Sequence, residues 1–177
     1  PDYNFVLTET VQSVLDPQQV RRVTYDYDND GNTIPNENPG LSPRRQIMEG
    51  RTRNISGDIV PFVYISYFNY DSMGRLIQAD GPRTNVTDTM DFTYYPAISG
   101  DPKSGMLQSI TRTNGTTSLT QIYSDYDSNG NVGRITDFNG RATTYTYNAL
   151  NRVTAITHQA DGSTTGYTYD ANGNIDR

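Results

Sequence analysis

Cysteine and tryptophan are absent from this chain of 177 residues, and histidine and lysine occur once each, as His158 and Lys103. Without cysteine the chain can form neither a disulfide nor a thiolate metal site. Hydrophobic residues make up only 33% of the sequence, and there is no apolar run of about 18 residues of the kind that crosses a membrane. We therefore predict no membrane span and no thick aliphatic core.

The scarcity of lysine and histidine also limits the chemistry that the chain can perform. The net charge is −6, and an acidic chain without a lysine patch is a poor partner for nucleic acid. His158 is the only histidine available to a nucleophile–base pair, and it stands two residues before a turn signal. There is no glycine-rich phosphate loop or histidine cluster. We predict no enzyme activity, catalytic residue, cofactor or metal site.

Tyrosine is the residue that the chain has in excess, with 14 Tyr against 5 Phe. A tyrosine combines a large apolar ring with a hydroxyl that tolerates water. This composition predicts packing through half-buried aromatic rings instead of a conventional aliphatic interior.

The tyrosines belong to a recurring motif, Y-D-x-x-G followed by Arg or Asn. Its signature residues are Tyr27, Asp28, Gly31, Tyr70, Asp71, Gly74, Arg75, Tyr126, Asp127, Gly130, Tyr147, Arg152, Tyr169, Asp170 and Gly173. Tyr126 and Tyr147 are 21 residues apart, and Tyr147 and Tyr169 are 22 apart. A fixed period of this length is typical of repeat architectures. We expect Tyr95 to mark a further copy that carries an insertion.

Hairpin signals lie between the copies of the motif, at Asp80-Gly81, Asn114-Gly115, Asn139-Gly140 and Asp161-Gly162. Such dipeptides favour type I′ turns, which need positive φ at both central residues. The flanking segments alternate with period two, as strands do. The predicted fold is all-β: repeated antiparallel hairpins that form a continuous, twisted sheet able to curl into a spiral.

Residues 1–177 are predicted to be a single array of these repeats. The repeats are clearest at 64–81 and 120–177, and the pattern is diverged or interrupted at 34–60 and 96–119. We expect the repeat aspartate to cap a turn and the repeat glycine to supply a positive φ. The arginines that follow turns, namely Arg75, Arg134, Arg141 and Arg152, are expected to pair with a repeat aspartate or stack on a neighbouring tyrosine.

One alternative concerns the first copy, where Asp26, Asp28, Asp30 and Glu37 fit the spacing of a calcium loop. Two other copies lack an oxygen ligand at the third position, where Met73 and Leu150 stand, and the remaining two have Asn129 and Asn172 there. Strand-like segments flank the loop, whereas a calcium loop of this type has helices on each side. The turn hypothesis needs no ion, and the calcium hypothesis stays open as the alternative.

The motif at Tyr70–Leu76, Y-D-S-M-G-R-L, resembles the YD repeat of the rearrangement-hotspot (Rhs) family, as does the segment Tyr145–Ile175 almost position for position. This family includes bacterial Rhs proteins, shell components of insecticidal toxin complexes, wall-associated proteins and teneurins. The resemblance implies a secreted or cell-surface protein, expected to be bacterial, whose hairpins form a β-sheet wall. In this family the wall often closes around a C-terminal toxin.

The resemblance and the residues together lead to three hypotheses. The first is a non-enzymatic structural module, part of a toxin-enclosing shell or a surface stalk. A chain of this length is too short to enclose a protein, so we expect self-association or continuation into further repeats. The second is an adhesion module that binds a surface glycan or a protein through a tyrosine-rich face. The third is an adhesion segment stabilised by calcium.

Overall fold

The computed structural model describes residues 8–12, 18, 20–27 and 42–176. Within these ranges the chain forms twelve β-strands and no helix. It divides into two compact units, residues 1–89 and 90–177. In each unit the strands pair antiparallel with their neighbours in chain order. The prediction of an all-β fold made of repeated antiparallel hairpins is therefore confirmed.

The first unit contains five complete strands. They are β1 (Thr8–Gln12), β2 (Val20–Asp26), β3 (Arg45–Arg53), β4 (Ile59–Tyr70) and β5 (Leu76–Asp80). Strands β3 and β4 share the longest register, from Arg45 opposite Tyr67 to Arg53 opposite Ile59. This hairpin lies mostly in a stretch where the repeat pattern of the sequence is weak, so hairpin pairing persists where the motif has diverged.

The second unit continues the same topology with shorter strands. They are β6 (Thr89–Tyr94), whose first residue ends the first unit, β7 (Leu107–Asn114), β8 (Thr117–Ser124), β9 (Arg134–Thr136), β10 (Ala142–Tyr147), β11 (Val153–His158) and β12 (Thr164–Gly166). A further bridge pairs Tyr169 with Ile175. The clearest repeats of the sequence lie in this unit.

An irregularity in register recurs next to the repeat tyrosines. The register shifts between Asn69 and Tyr70, and again between Thr146 and Tyr147. The same shift separates Thr93 from Tyr94, and Tyr94 pairs with Leu107. A bulge bends its strand and re-aims the side chains that follow it. Tyr94, not Tyr95, thus occupies the position of a repeat tyrosine, and the expectation that Tyr95 marks this copy is corrected by one residue.

The two faces of the sheet in the second unit differ in chemistry. One face carries the repeat tyrosines. The residues directly before them in the chain, such as Thr146 and Thr168, are exposed. Hydroxyl groups pair across strands on the other face, where Thr111 and Thr120 approach to 3.0 Å. Thr157 and Thr164 pair in the same way at 2.9 Å. Cross-strand hydroxyl pairs of this kind stabilise a sheet modestly and leave its surface wet.

No described side chain is fully buried. The buried hydrophobic residues are Val23, with 4% of its surface exposed, and Tyr27, with 9%. The other large apolar and aromatic side chains of the described residues are half-buried or exposed. This confirms the prediction that half-buried rings replace a thick aliphatic core.

The hairpin signals of the sequence have mixed outcomes. Strands β7 and β8 do meet at Asn114-Gly115, but the two linking residues are Gly115 and Thr116. Gly115 has a φ of 61°, and Thr116 has no positive φ. Glycine at the first central position alone is the pattern of a type II′ turn. The predicted type I′ turn is wrong because the dipeptide is shifted by one residue relative to the loop.

The other dipeptides also form turns different from those predicted. At Asp161-Gly162 a longer loop joins β11 to β12, and it is closed by the Gly162 N–H bond to the His158 carbonyl at 2.8 Å. The tight turn predicted at Asp80-Gly81 is wrong, since Gly81 has no positive φ and β6 begins only at Thr89. Residues 81–88 instead form a loop fixed by Arg83 and Asp88, whose side chains are 3.0 Å apart.

Replacing Gly50 by alanine is expected to destabilise the first unit. Gly50 lies within β3, and a Cβ there would overlap the carbonyl oxygen of Val20 on β2. Because that oxygen belongs to the backbone, strands β2 and β3 would have to separate. We expect a loss of about 2 to 3 kcal/mol in the free energy of unfolding, measured by urea denaturation.

Gly166→Ala is the matched control, because the nearest atom to its added Cβ is 3.9 Å away. It should change stability by less than about 1 kcal/mol in either direction. Equal effects of the two substitutions would show that β2 does not approach Gly50 as described.

Candidate functional site

The motif of the sequence folds as a five-residue turn that recurs along the chain. Its first residue is Asp or Asn, and the Oδ1 atom accepts the backbone N–H groups of the third and fifth residues. The fourth residue has a positive φ and donates its N–H to the carbonyl of the first. The turns of this kind are residues 54–58, 71–75, 127–131, 137–141, 148–152 and 170–174. This is a type I turn followed by a residue in the left-handed region.

Asp127 illustrates the geometry of the turn. Its Oδ1 accepts the N–H groups of Asn129 and Asn131, both at 2.9 Å. Its Oδ2 accepts the side-chain amide of Asn131 at 2.8 Å. The Gly130 N–H donates to its carbonyl at 3.0 Å, and Gly130 has a φ of 82°. Both carboxylate oxygens are therefore engaged within the turn.

The sequence motif does not predict two members of this set as five-residue turns. Asn54 heads the turn between β3 and β4, and Asp137 heads the turn between β9 and β10. Neither follows a tyrosine, so the Y-D motif does not include them. The spacing of Asp or Asn three residues before Gly57 and Gly140 is the signal that identifies them. Asn139-Gly140 is thus part of a longer turn and not the predicted type I′ pair.

The hydrogen bonds of the turn lower the pKa of its carboxyl group. For Asp71 the largest cause is the backbone N–H of Arg75. For Asp127 and Asp170 it is the side-chain amide of the fifth residue of the turn, Asn131 or Asn174. A carboxylate that accepts several N–H groups is held in its charged form. These aspartates are consequently poor general acids and have few free lone pairs for a metal ion.

The repeat tyrosines form a second recurring contact, between their hydroxyl groups and a backbone carbonyl of the preceding hairpin. Each hydroxyl donates one bond: Tyr70 to Pro43 at 3.0 Å, Tyr126 to Leu107 at 2.8 Å, Tyr147 to Val132 at 2.9 Å, and Tyr169 to Val153 at 2.6 Å. The acceptors lie 15 to 27 residues earlier in the chain. The tyrosine of each hairpin thereby ties it to the one before.

The register of the strands explains the choice of acceptor. Val153 is the strand partner of Tyr147 and accepts the hydroxyl of Tyr169. Leu107 is the partner of Tyr94 and accepts the hydroxyl of Tyr126. Tyr126 and Tyr169 therefore each bind the residue that pairs with the preceding repeat tyrosine. The bulges at Tyr94 and Tyr147 set this relation, because they place Leu107 and Val153 opposite these two tyrosines.

Two of the four arginines expected to pair with an aspartate or stack on a tyrosine, Arg75 and Arg152, take these roles. For Arg134 and Arg141 the expectation stays a prediction. Arg75 pairs with Asp71 of its own turn, with 2.7 Å between Nε and Oδ2. The guanidinium of Arg152 lies over the ring of Tyr169 in the next hairpin, 4.3 Å from the ring centre. Arg44 lies over Tyr70 at 5.1 Å in the same manner. Contacts of a cation with an aromatic face contribute about 0.5 to 1 kcal/mol at exposed sites.

Successive turns also touch each other in the second unit. The Oδ1 atom of Asn151 accepts the side-chain amides of Asn129 and Asn131, both at 2.9 Å. A Cβ at Gly173 would come within 3.3 Å of a guanidinium nitrogen of Arg152. The turns at 127–131, 148–152 and 170–174 therefore lie next to one another in chain order.

No constellation suited to catalysis or metal binding stands out in the described part of the chain. It contains no group of three or more His, Asp or Glu residues able to hold a metal ion. His158 is exposed, with Nδ1 at 3.2 Å from the Thr143 hydroxyl. Among the same residues, no helix is long and apolar enough to cross a membrane.

The calcium alternative can be examined at one of its four positions. Asp26 is 5% exposed and forms an ion pair with Arg45, with 2.5 Å between Nη2 and Oδ2. This carboxylate is already neutralised by an arginine. The other positions, Asp28, Asp30 and Glu37, lie outside the described residues, as does Gly31 of the first repeat.

Comparison with known proteins identifies the repeat and the fold. Residues 126–159 match the family model described as RHS Repeat. No curated protein sequence matches the chain. A chain of the TcdB2-TccC3-Cdc42 crystal structure has a similar fold, with a TM-score of 0.63 and 16% identity, over 99% of this chain and 9% of that one. The present chain thus corresponds in fold to a small part of a much larger polypeptide.

The tie between hairpins can be tested by removing one hydroxyl. Tyr147→Phe keeps the ring but leaves the Val132 carbonyl without its donor, and we expect a loss of about 1 to 2 kcal/mol in the free energy of unfolding. Tyr145→Phe is the matched control on the same strand. No hydroxyl bond of Tyr145 is found within the described chain, so its loss should be much smaller. Equal losses in denaturant titrations would contradict the tie.

Alkaline pH should open the same contacts. Burial raises the pKa of Tyr70, Tyr126 and Tyr147 above the ordinary value of 10.0. A raised pKa means that the fold favours the neutral phenol. The stabilisation is therefore fully present below pH of about 10 and is lost as pH rises through the raised pKa values.

The measurement is a spectroscopic titration of tyrosinate alongside circular dichroism. We expect a late-ionising class of tyrosines that titrates together with loss of the sheet signal. If all 14 tyrosines ionised as one ordinary class while the sheet stayed intact, burial of the tyrosines would not contribute to the stability of the sheet.

Proposed function

Because residues 126–159 are an RHS repeat, we propose that the chain is a non-enzymatic structural segment of a β-sheet wall in a larger, secreted or cell-surface protein of bacterial origin. The wall is either a shell that encloses a toxin or a surface stalk. On this proposal residues 1–177 are one array of repeats. The five-residue turn supports it, since it occurs in both units, at 54–58 and 71–75 and again at 127–131.

The observation that carries the proposal is the bond from each repeat tyrosine to the preceding hairpin. It consumes the hydroxyl of Tyr126, Tyr147 and Tyr169, and the turns consume the carboxylates of Asp127 and Asp170. The tyrosine hydroxyls and aspartate carboxylates that define the motif therefore form the hydrogen bonds that hold the hairpins together. Such a segment supplies continuity and stiffness, which is what a wall requires.

Among the described residues, β12 has only β11 as a strand partner. Thr164–Gly166 of β12 pairs with β11, and all three residues are exposed. An unpaired edge presents backbone donors and acceptors to another strand. Further repeats of the same polypeptide, or another copy of the chain, would satisfy them.

Limited proteolysis of the complete gene product that carries this chain tests the proposal. A wall predicts resistance of residues 42–176 to cleavage. A shell further predicts a second segment that is protected in the whole product but is cleaved rapidly when expressed alone. Protection of the repeats without such a segment indicates a stalk. Rapid cleavage throughout the repeats would contradict both forms of the proposal.

A glycan-binding function is the second candidate, and one aromatic pair favours it. The rings of Phe62 and Tyr64 lie 5.4 Å apart on β4, and Tyr64 is 51% exposed. Such a pair can stack on a sugar, whereas the repeat tyrosines are already engaged. Binding on a glycan array that is lost in Tyr64→Ala would favour this function, and an array without binding would dismiss it.

The third hypothesis, an adhesion segment stabilised by calcium, is tested by thermal unfolding with and without EDTA. An unfolding midpoint that is unchanged by EDTA would dismiss calcium stabilisation.

A further inference from the structure

A cavity of about 370 Å³ lies in the first unit, between the segment that leads into β3 and the turn that follows β4. Ser42 and Arg44 line one side of it, and Tyr70 and the turn residues 71–74 line the other. A cavity of this volume is at the small end of the range in which proteins bind ligands. It can hold a small molecule or a single side chain.

The backbone around Arg44 is fixed to the sheet on both sides. The Arg44 N–H donates to the carbonyl of Asp26 at 2.7 Å, and the Arg44 carbonyl accepts the N–H of Phe68 at 2.8 Å. The neighbouring carbonyl of Pro43 accepts the hydroxyl of Tyr70 at 3.0 Å. Because the wall of the cavity is already attached to β2 and β4, a ligand does not have to order it on binding.

The half-buried side chain of Arg44 is held by its flat face and not by its N–H groups. Its guanidinium lies over the ring of Tyr70, 5.1 Å from the ring centre. Stacking on an aromatic ring leaves the N–H donors at the edge of the guanidinium plane available to other partners. Among the described residues no carboxylate forms an ion pair with Arg44.

The one carboxylate that lines the cavity, that of Asp71, is committed to its own turn. Its Oδ1 accepts the backbone N–H groups of Met73 and Arg75, both at 2.9 Å. Its Oδ2 accepts the Nε–H of Arg75 at 2.7 Å. Since Asp71 and Arg75 neutralise each other, the charge of Arg44 is uncompensated and the cavity favours an anion.

The remaining walls indicate which anion fits. The hydroxyls of Ser42 and Ser72 have no hydrogen-bond partner within the described chain, so both can donate to a ligand. The ring of Tyr70 and the side chain of Met73, which is 67% exposed, add apolar surface. A single guanidinium edge matches a planar carboxylate with one negative charge. The apolar walls suit a short aliphatic stem that carries this carboxylate.

We propose that this cavity is a binding site for a carboxylate on a short aliphatic stem. The guanidinium of Arg44 binds both carboxylate oxygens, and the stem packs against Tyr70 and Met73. Two sources carry this chemistry, namely a free small monocarboxylate and the glutamate side chain of a partner polypeptide. The site does not depend on the function proposed above for the repeats.

The first test is an NMR titration of the isotope-labelled native chain with butyrate, observed at the Nε–H signal of Arg44. Butyramide is the uncharged ligand of the same shape. We expect a saturable shift at millimolar butyrate, and an affinity for butyramide that is lower by about ten-fold or more, which corresponds to about 1.4 kcal/mol. Absence of a saturable shift with butyrate would overturn the proposal, as would equal affinities for the two ligands.

Two variants locate the binding, with the backbone N–H signal of Met73 as the observed group. Arg44→Gln should weaken butyrate binding by about ten-fold or more, because it removes the charge and the guanidinium edge. Arg152→Gln is the matched control, since Arg152 also lies over a tyrosine ring, that of Tyr169, but in the second unit. It should leave the affinity unchanged. Equal weakening by both substitutions would mean general attraction to positive charge and would contradict the site.

A third titration distinguishes the two sources of the carboxylate. It uses glutamate capped with an acetyl group and a methylamide, which reproduces the side chain within a polypeptide. An affinity similar to or higher than that of butyrate assigns the site to a partner polypeptide. Binding of butyrate without binding of the capped glutamate assigns it to a free monocarboxylate. The titrations on the native chain do not depend on the folding of any variant.

Discussion

The bond from a repeat tyrosine to the carbonyl of the preceding hairpin is the interaction on which the second unit depends most. Tyr147 and Tyr169 each bring a ring and a donor to the strand pair before them. The ring covers apolar surface, and the hydroxyl satisfies a carbonyl that would otherwise be shielded from water without a partner. An unsatisfied carbonyl costs about 1 to 3 kcal/mol, so ring and hydroxyl must be placed together. The bulge before Tyr147, like the one before Tyr70, accomplishes this placement.

This arrangement distributes stability along the chain instead of concentrating it in a core. Only Val23 and Tyr27 are buried hydrophobic residues among those described. Each turn closes its own hairpin through bonds to one Asp or Asn, and each tyrosine adds one link to the neighbouring hairpin. Stability then resembles a sum of local terms and nearest-neighbour terms. Such a chain can be lengthened by further repeats without redesign of an interior, which suits a wall.

Much of this fold could be predicted from the sequence, because the tyrosine period, the turn residues and the alternating strands all favour the same structure. The turn headed by Asn54 was not predicted, and the one headed by Asp137 was predicted only as a type I′ turn at Asn139-Gly140, since the motif was defined with a preceding tyrosine that a turn does not need. The position of Tyr94 was missed because Tyr95 follows it and the insertion hides the spacing. The turn at Asn114-Gly115 was assigned the wrong type because a dipeptide does not reveal its register with the strands. The hydroxyl bonds join residues 15 or more apart, which a local pattern cannot show.

The copy at residues 148–152 shows how far the motif can vary while the contacts persist. Asparagine replaces the aspartate at 148, and its Oδ1 still accepts the N–H groups of Leu150 and Arg152. Asparagine also replaces the glycine at 151 and takes a φ of 58°, a conformation that asparagine tolerates better than most residues. The side chain of Asn151, which a glycine would lack, accepts hydrogen bonds from two side-chain amides of the preceding turn. The strain of the positive φ is thus offset by a link between turns, and the copy that departs most from the motif is joined to its neighbour at both its turn and its tyrosine.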